Sequence, residues 1–263
     1  MLTHFSLFTG IGGIDLASEW AGFTTVGQCE FADYPTKVLE KHWPEVPRWR
    51  DIRDVTLESV RSKGIRTIDL LSGGFPCQPF SIAGEQKGTD DERYLWPEMF
   101  RFTKEVRPTW VLGENVANFV NMALEETCIN LESAGYEVQP IVIPACSVNA
   151  AHQRQRVFII GHVSDTERNG HQRPERLPQD IGTVKKRGEG ALRSVTKLFD
   201  DVDWEKKAIE SGFLGGNNGI PFRMDRLKCL GNAVVPQQVY PILQAIADIE
   251  ERERINECNR QSA

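Results

Sequence analysis

The chain has 263 residues, 40% of them hydrophobic and 26% charged, with a formal net charge of −6. That is enough apolar side chain for one large core, and it excludes intrinsic disorder over most of the length. No apolar run approaches the ~18 residues that span a bilayer, the opening MLTHFSLFTG lacks the basic and long apolar regions of a signal peptide, and the acidic balance argues against a uniformly basic nucleic-acid binder, so the expectation is a cytoplasmic globular protein.

In chain order, His4–Thr9 reads as a strand that runs into a glycine turn, followed by an apolar-periodic stretch Ile14–Trp20. Thr24–Glu30 reads as a second strand and Tyr34–His42 as a helix. Thr67–Ser72 is a buried strand ending in Gly73-Gly74, and Asp91–Val106 has helical patterning. Thr109–Gly113 is another strand, Asn121–Ala134 a helix, and Val138–Ile143 and Val157–Val163 two further strands. Strands alternating with helices predict an α/β fold with a mostly parallel sheet. After Val163 the composition changes. Residues 164–197 hold eight basic side chains against five acidic ones, a net +3, with few apolar residues. This is a solvated insertion or a DNA-facing one, since binding residues often sit on loops of a rigid scaffold. Helical patterning returns at Val234–Ile255.

Five segments carry chemistry. The first strand ends in Phe8-Thr9-Gly10-Ile11-Gly12-Gly13, and glycines at such a turn allow close approach of a ligand to backbone. The dinucleotide fingerprint fails, because Asp15 stands where a third glycine belongs. The second strand ends in Glu30, where a carboxylate can accept from two ribose hydroxyls, and Phe31 follows it, where a ring can stack on adenine. Together they favour an adenosine-containing cofactor. The third strand leads into Gly73-Gly74-Phe75-Pro76-Cys77-Gln78-Pro79, a stiff loop that holds a thiol at a strand's carboxyl end. The other cysteines (Cys29, Cys128, Cys146, Cys229 and Cys258) form no CxxC pair and read as free thiols. The fourth strand ends in Glu114-Asn115-Val116, and Arg154-Gln155-Arg156 precedes VFIIG; a carboxyl and two guanidinium groups beside a thiol suit acid and anion-stabilising roles.

The ordered set FTGIGG, CEF, GGFPCQPFS, ENV, RQRVFIIG and LGNAVVP (230–236) resembles the DNA (cytosine-5) methyltransferases, most of all the short phage and bacterial members. The resemblance covers nearly the whole chain apart from about 164–220. It implies a Rossmann-like methyltransferase sheet that binds S-adenosylmethionine and methylates carbon 5 of cytosine in DNA, the alternatives being an RNA cytosine-5 methyltransferase of the same fold or a catalytically silent DNA-binding relative. Phe8, Gly10 and Gly12 would cradle the methionine part, Glu30 would hold the ribose, and Phe31 would pack on the adenine. Asp51 matches the family's adenine-contacting aspartate, and Pro76 and Asn232 complete the cofactor set. Cys77 would be the nucleophile, Glu114 would contact the target base, and Arg154 and Arg156 would line the pocket. His152 stands where the family usually has glutamine. The resemblance further implies a catalytic domain of residues 1–162 plus 222–263 and a target-recognition region of 163–221. Its partners would be double-stranded DNA with a specific cytosine site and a cognate restriction endonuclease, with no metal and no membrane.

Overall fold

The computed structural model describes residues 1–76, 94–148, 150, 154–163 and 233–261. Seven strands form one sheet: β1 (Leu2–Leu7), β2 (Phe23–Cys29), β3 (Arg48–Trp49), β4 (Leu70–Gly73), β5 (Trp110–Val116), β6 (Tyr136–Ile143) and β7 (Arg156–Val163). Their spatial order is β3-β2-β1-β4-β5-β7-β6. The helices are α1 (Gly13–Trp20), α2 (Asp33–His42), α3 (Leu57–Ser62), α4 (Trp96–Val106), α5 (Leu124–Ser133) and α6 (Pro236–Gln261), with short 3₁₀ turns at Ile52–Asp54, Ala117–Asn121 and Ala145–Val148. The mixed α/β, Rossmann-like architecture agrees with the expectation from sequence.

The first five strands are parallel, and β7 runs antiparallel between β5 and β6. The sequence pattern does not reveal this reversal, because an inward-outward alternation reads the same in both directions. One boundary moves for a related reason. Glu114, Asn115 and Val116 lie inside β5 and not after it, since β7 extends the ladder with Glu114 opposite Phe158, Asn115 opposite Val157 and Val116 opposite Arg156.

Both faces of the sheet centre are covered, which is why β4, β5 and β7 carry buried, mainly apolar runs. Period-two alternation sorts their side chains between two clusters. Leu71, Val111, Val157 and Ile159 join Met99, Phe102, Phe119 and Leu131 on the face carrying α4 and α5. Leu70, Trp110, Leu112 and Phe158 join Ile14, Ala17, Val239, Leu243 and Ile246 on the face carrying α1 and α6. Pro236 opens α6, where its fixed φ and missing N–H are tolerated. The Trp110 indole N–H donates to Glu250 Oε1 at 2.8 Å, tying this C-terminal helix to the middle of the sheet.

The residue that spoiled the dinucleotide fingerprint has a structural task. Asp15 is fully buried and accepts from Ser6 Oγ (3.0 Å) on β1 and from the Gln28 amide (2.9 Å) on β2. Burial raises its carboxyl to about 6. Beside it, His4 lies between Ser18 Oγ (2.9 Å) and Ser72 Oγ (2.7 Å), and burial lowers its imidazole to about 3, so the ring is neutral. These polar bonds fix the first turn of α1 against β1 and β2. The same turn meets the C-terminal segment: a Cβ on Gly13 would stand 2.7 Å from the Val234 carbonyl oxygen, so only glycine permits this approach. Among the described residues no helix is long and apolar enough to cross a membrane.

Candidate active site

Strand register assembles the candidate residues. Leu7 pairs with Cys29 and with Gly73, Cys29 with Trp49, and Gly73 with Gly113. The residues that come next are therefore level with one another: Glu30 after β2, Phe8 after β1, Gly74 after β4, and Glu114 within β5. Asp51 follows just beyond β3, and Arg156 opens β7 at the same edge because that strand is reversed. Adjacent strands lie ~4.8 Å apart, so the row from Glu30 to Glu114 spans about 14 Å. This carboxyl edge is where open α/β sheets bind ligands.

At one end of the row the chain turns tightly. Phe8, Gly10 and Gly12 all have positive φ (51°, 58° and 86°). Two of the three are glycines, which enter this region without strain. The Gly10 N–H donates to Glu30 Oε2 at 2.7 Å, and the Ala32 N–H donates to Glu30 Oε1 at 2.8 Å. A carboxylate offers about four acceptor sites, so each oxygen keeps one for a ligand. A Cβ on Gly10 would meet nothing within 4 Å, leaving open space over the turn. The Phe31 side chain stands beside Glu30 at 74% exposure. Asp51 caps the 3₁₀ turn after β3, accepting from the Arg53 N–H at 2.9 Å. An open turn, a carboxylate with spare lone pairs and a bare aromatic ring fit an adenosine-containing ligand such as S-adenosylmethionine.

At the other end a buried carboxyl meets two arginines. Glu114 is 6% exposed, and its Oε1 lies 3.1 Å from Arg156 Nε. Desolvation raises its carboxyl to about 7, against the opposing pull of Arg156 and then Arg154. It therefore keeps its proton to higher pH than a carboxyl in water. Arg154 has φ 20°, at the margin of the left-handed region. Its guanidinium is held below the ordinary arginine range by burial and by Arg156. A Cβ on Gly74 would fall 2.9 Å from Glu114 Oε2, so the glycine leaves the carboxyl room above β4.

The base of the thiol loop is braced. The Asn115 amide donates to the Phe75 carbonyl at 3.1 Å, and the Phe75 ring packs against Trp96 and Phe119 at centroid distances of 5.1 and 5.3 Å. Pro76 leaves this anchored point. Cys77, His152, Asn232 and the segment 164–221 lie outside the described residues. The structure thus brings together Phe8, Gly10, Gly12, Glu30, Phe31, Asp51 and Pro76 with Glu114, Arg154 and Arg156 along one edge. The brace formed by Asn115 was within the quoted ENV triplet but carried no separate signal. Among the described residues there is no cluster of side chains able to hold a metal ion.

Comparison with known proteins accords with this geometry. The profile of the C-5 cytosine-specific DNA methylase family matches residues 2–214. The Type II methyltransferase M.HgiCII of Herpetosiphon aurantiacus is 34% identical over 59% of this chain and 36% of its own length. M.HhaI of Haemophilus parahaemolyticus is 33% identical over 70% of this chain and 56% of its own. This chain thus spans about a third to just over a half of those two relatives. A candidate DNA modification methyltransferase encoded within an Escherichia coli prophage superimposes with a TM-score of 0.54 at 26% identity, over 64% of this chain and 48% of that one. With a family match over most of its length, the chain belongs to the C-5 cytosine-specific DNA methylase family.

Proposed function

We propose that this protein transfers a methyl group from S-adenosylmethionine to carbon 5 of cytosine at a specific sequence in duplex DNA. The observation that carries this reading is the single row joining the Phe8–Gly12 turn and Glu30 to the buried Glu114 beside Arg156. In this reading Phe8, Gly10 and Gly12 receive the methionine part of the cofactor, Glu30 its ribose hydroxyls, and Phe31 and Asp51 its adenine. Pro76 and Asn232 complete its pocket. When bound, S-adenosylmethionine supplies an electrophilic methyl group to carbon 5.

The protein must make that carbon nucleophilic. The Cys77 thiolate adds to carbon 6, forming a C–S bond, and the ring electrons shift so that carbon 5 becomes enamine-like. Protonated Glu114 donates to ring N3 and withdraws the developing charge. Arg154 and Arg156 line the pocket and favour anionic character on the ring. After transfer a base removes the carbon 5 proton, the double bond re-forms, and the C–S bond breaks to release Cys77. A cytosine inside a duplex is out of reach, so it must swing out of the stack at a cost of a few kcal/mol. Residues 163–221, whose first part is locally basic, offset that cost through groove and phosphate contacts and choose the site. Residues 1–162 and 222–263 form the catalytic unit. The setting is the cytoplasm of a bacterial or phage-infected cell, alongside a cognate restriction endonuclease.

Sequencing DNA from cells expressing the full chain, after chemical conversion of unmodified cytosine, tests the function directly. Methylated cytosine at one recurring sequence is the expected result, and DNA without added 5-methylcytosine overturns the reading. Glu30→Ala removes acceptors from the ribose and from the Gly10 turn. It is expected to weaken S-adenosylmethionine binding by about 1.5–3 kcal/mol, the range for hydrogen bonds to charged groups. Unchanged affinity by calorimetry would move the ribose site elsewhere.

A further inference from the structure

We propose that Gln238 is a positioning residue for the reaction pocket, holding from the first turn of α6 the stretch of backbone that presents Arg154 to Glu114. Gln238 is fully buried. Its amide nitrogen donates to the Ile143 carbonyl at 3.0 Å and to the Arg154 carbonyl at 3.2 Å. An amide NH₂ has two hydrogens to give, and both go to these carbonyls. Ile143 is the last residue of β6 and pairs with Arg156, the first of β7. The side chain therefore bridges the two ends of the connection between these strands, at the point where Arg154 leaves regular geometry with φ 20°. Val239, the neighbour of Gln238, is buried in the core on the α1 side of the sheet, so the donor is held on a fixed support.

The consequence lies at Glu114. Arg156 is fixed by the β5–β7 ladder, whereas Arg154 precedes the strand. Without the bridge, the Arg154 backbone can relax and carry its guanidinium away from the carboxyl. Arg154 and Arg156 are the two charged groups that pull the Glu114 carboxyl down against burial. Losing the pull of Arg154 leaves a carboxyl that keeps its proton to higher pH and a pocket with one cation displaced.

This inference rests on the pocket reading of Arg154 given above, and a double-mutant cycle separates the two. Gln238→Leu removes both donors at similar volume. Acting through Arg154, it is expected to lower kcat roughly tenfold, the scale of two lost hydrogen bonds. It should also move the alkaline descent of the kcat–pH profile upward. In an Arg154→Ala background the same change should cost less than twofold, because the side chain it positions is gone. If Gln238→Leu lowers kcat by the same factor in both backgrounds, or leaves the descent in place, Gln238 merely docks α6 and the proposal is overturned. If Arg154→Ala by itself leaves turnover unchanged, the pocket reading fails first. Should Gln238→Leu not fold, Gln238→Met matches glutamine in length without its donors and takes its place. Failure of both to fold assigns Gln238 to stability and also overturns the proposal.

Discussion

DNA carrying 5-fluorocytosine at the target position is expected to remain attached to this protein through denaturation when S-adenosylmethionine is present. Fluorine cannot leave carbon 5 as a cation, so once the methyl group is on, the double bond cannot re-form and the C–S bond cannot break. The adduct should map to the peptide containing Cys77, and Cys77→Ser should abolish it. Serine's hydroxyl is almost fully protonated at neutral pH and gains no nucleophile by substitution alone. The competing sulfurs can be ranked by their surroundings. Cys29 ends β2 beside Glu30, near the site, but its thiol is buried and pushed up to about 12. It therefore stays protonated at neutral pH. Burial, with Glu132 nearby, raises Cys128 as well. The measurement is a mobility shift in denaturing gels followed by mass mapping. An adduct that survives Cys77→Ser, or maps to Cys29, Cys128, Cys146, Cys229 or Cys258, would show that another nucleophile attacks.

Much of this arrangement was legible from residue order. The strands at Thr67–Ser72 and Val157–Val163 could be read because a sheet covered on both faces demands unbroken apolar runs. The carboxyl ends of two other runs, Thr24–Glu30 and Thr109–Gly113, pointed to Glu30 and Glu114. What escaped was what depends on pairing between distant segments. The β3 strand has two residues and α3 six, too short for periodicity to register. The reversal of β7 lengthened β5 through Glu114, which the alternation could not disclose. Asp15 read as a defect in a fingerprint, and only its partners Ser6 and Gln28 reveal a buried tie between helix and sheet. Gln238 lies 84 residues from the Arg154 carbonyl it bonds. It stands just after LGNAVVP with no motif to mark it, yet it is fully buried.

Glu114→Gln is expected to lower kcat by about 10²–10⁴, the usual range for a positioned acid. DNA binding should persist, and 5-fluorocytosine trapping should slow without disappearing. The pH dependence identifies the group. Its carboxyl is raised from 4.5 to about 7 by burial, so the proton it donates is present below pH 7 and is lost above it. The thiolate fraction of Cys77 rises with pH, so wild-type turnover should pass through a maximum. The glutamine variant should lack the alkaline descent, because an amide does not titrate. Stability gives a second measurement that is independent of turnover. The folded carboxyl holds its proton more tightly than the unfolded one, so its contribution to stability is complete below about pH 4.5 and disappears as pH rises through about 7. Glutamine is neutral throughout and escapes that loss. The urea midpoint of Glu114→Gln, compared with wild type, should therefore move in the variant's favour between about pH 5 and about pH 8. Equal differences at both pH values would mean that the Glu114 carboxyl is as fully ionised at pH 7 as one in water. Its role would then be that of a permanent anion for Arg156, and the proton at N3 would have to come from elsewhere.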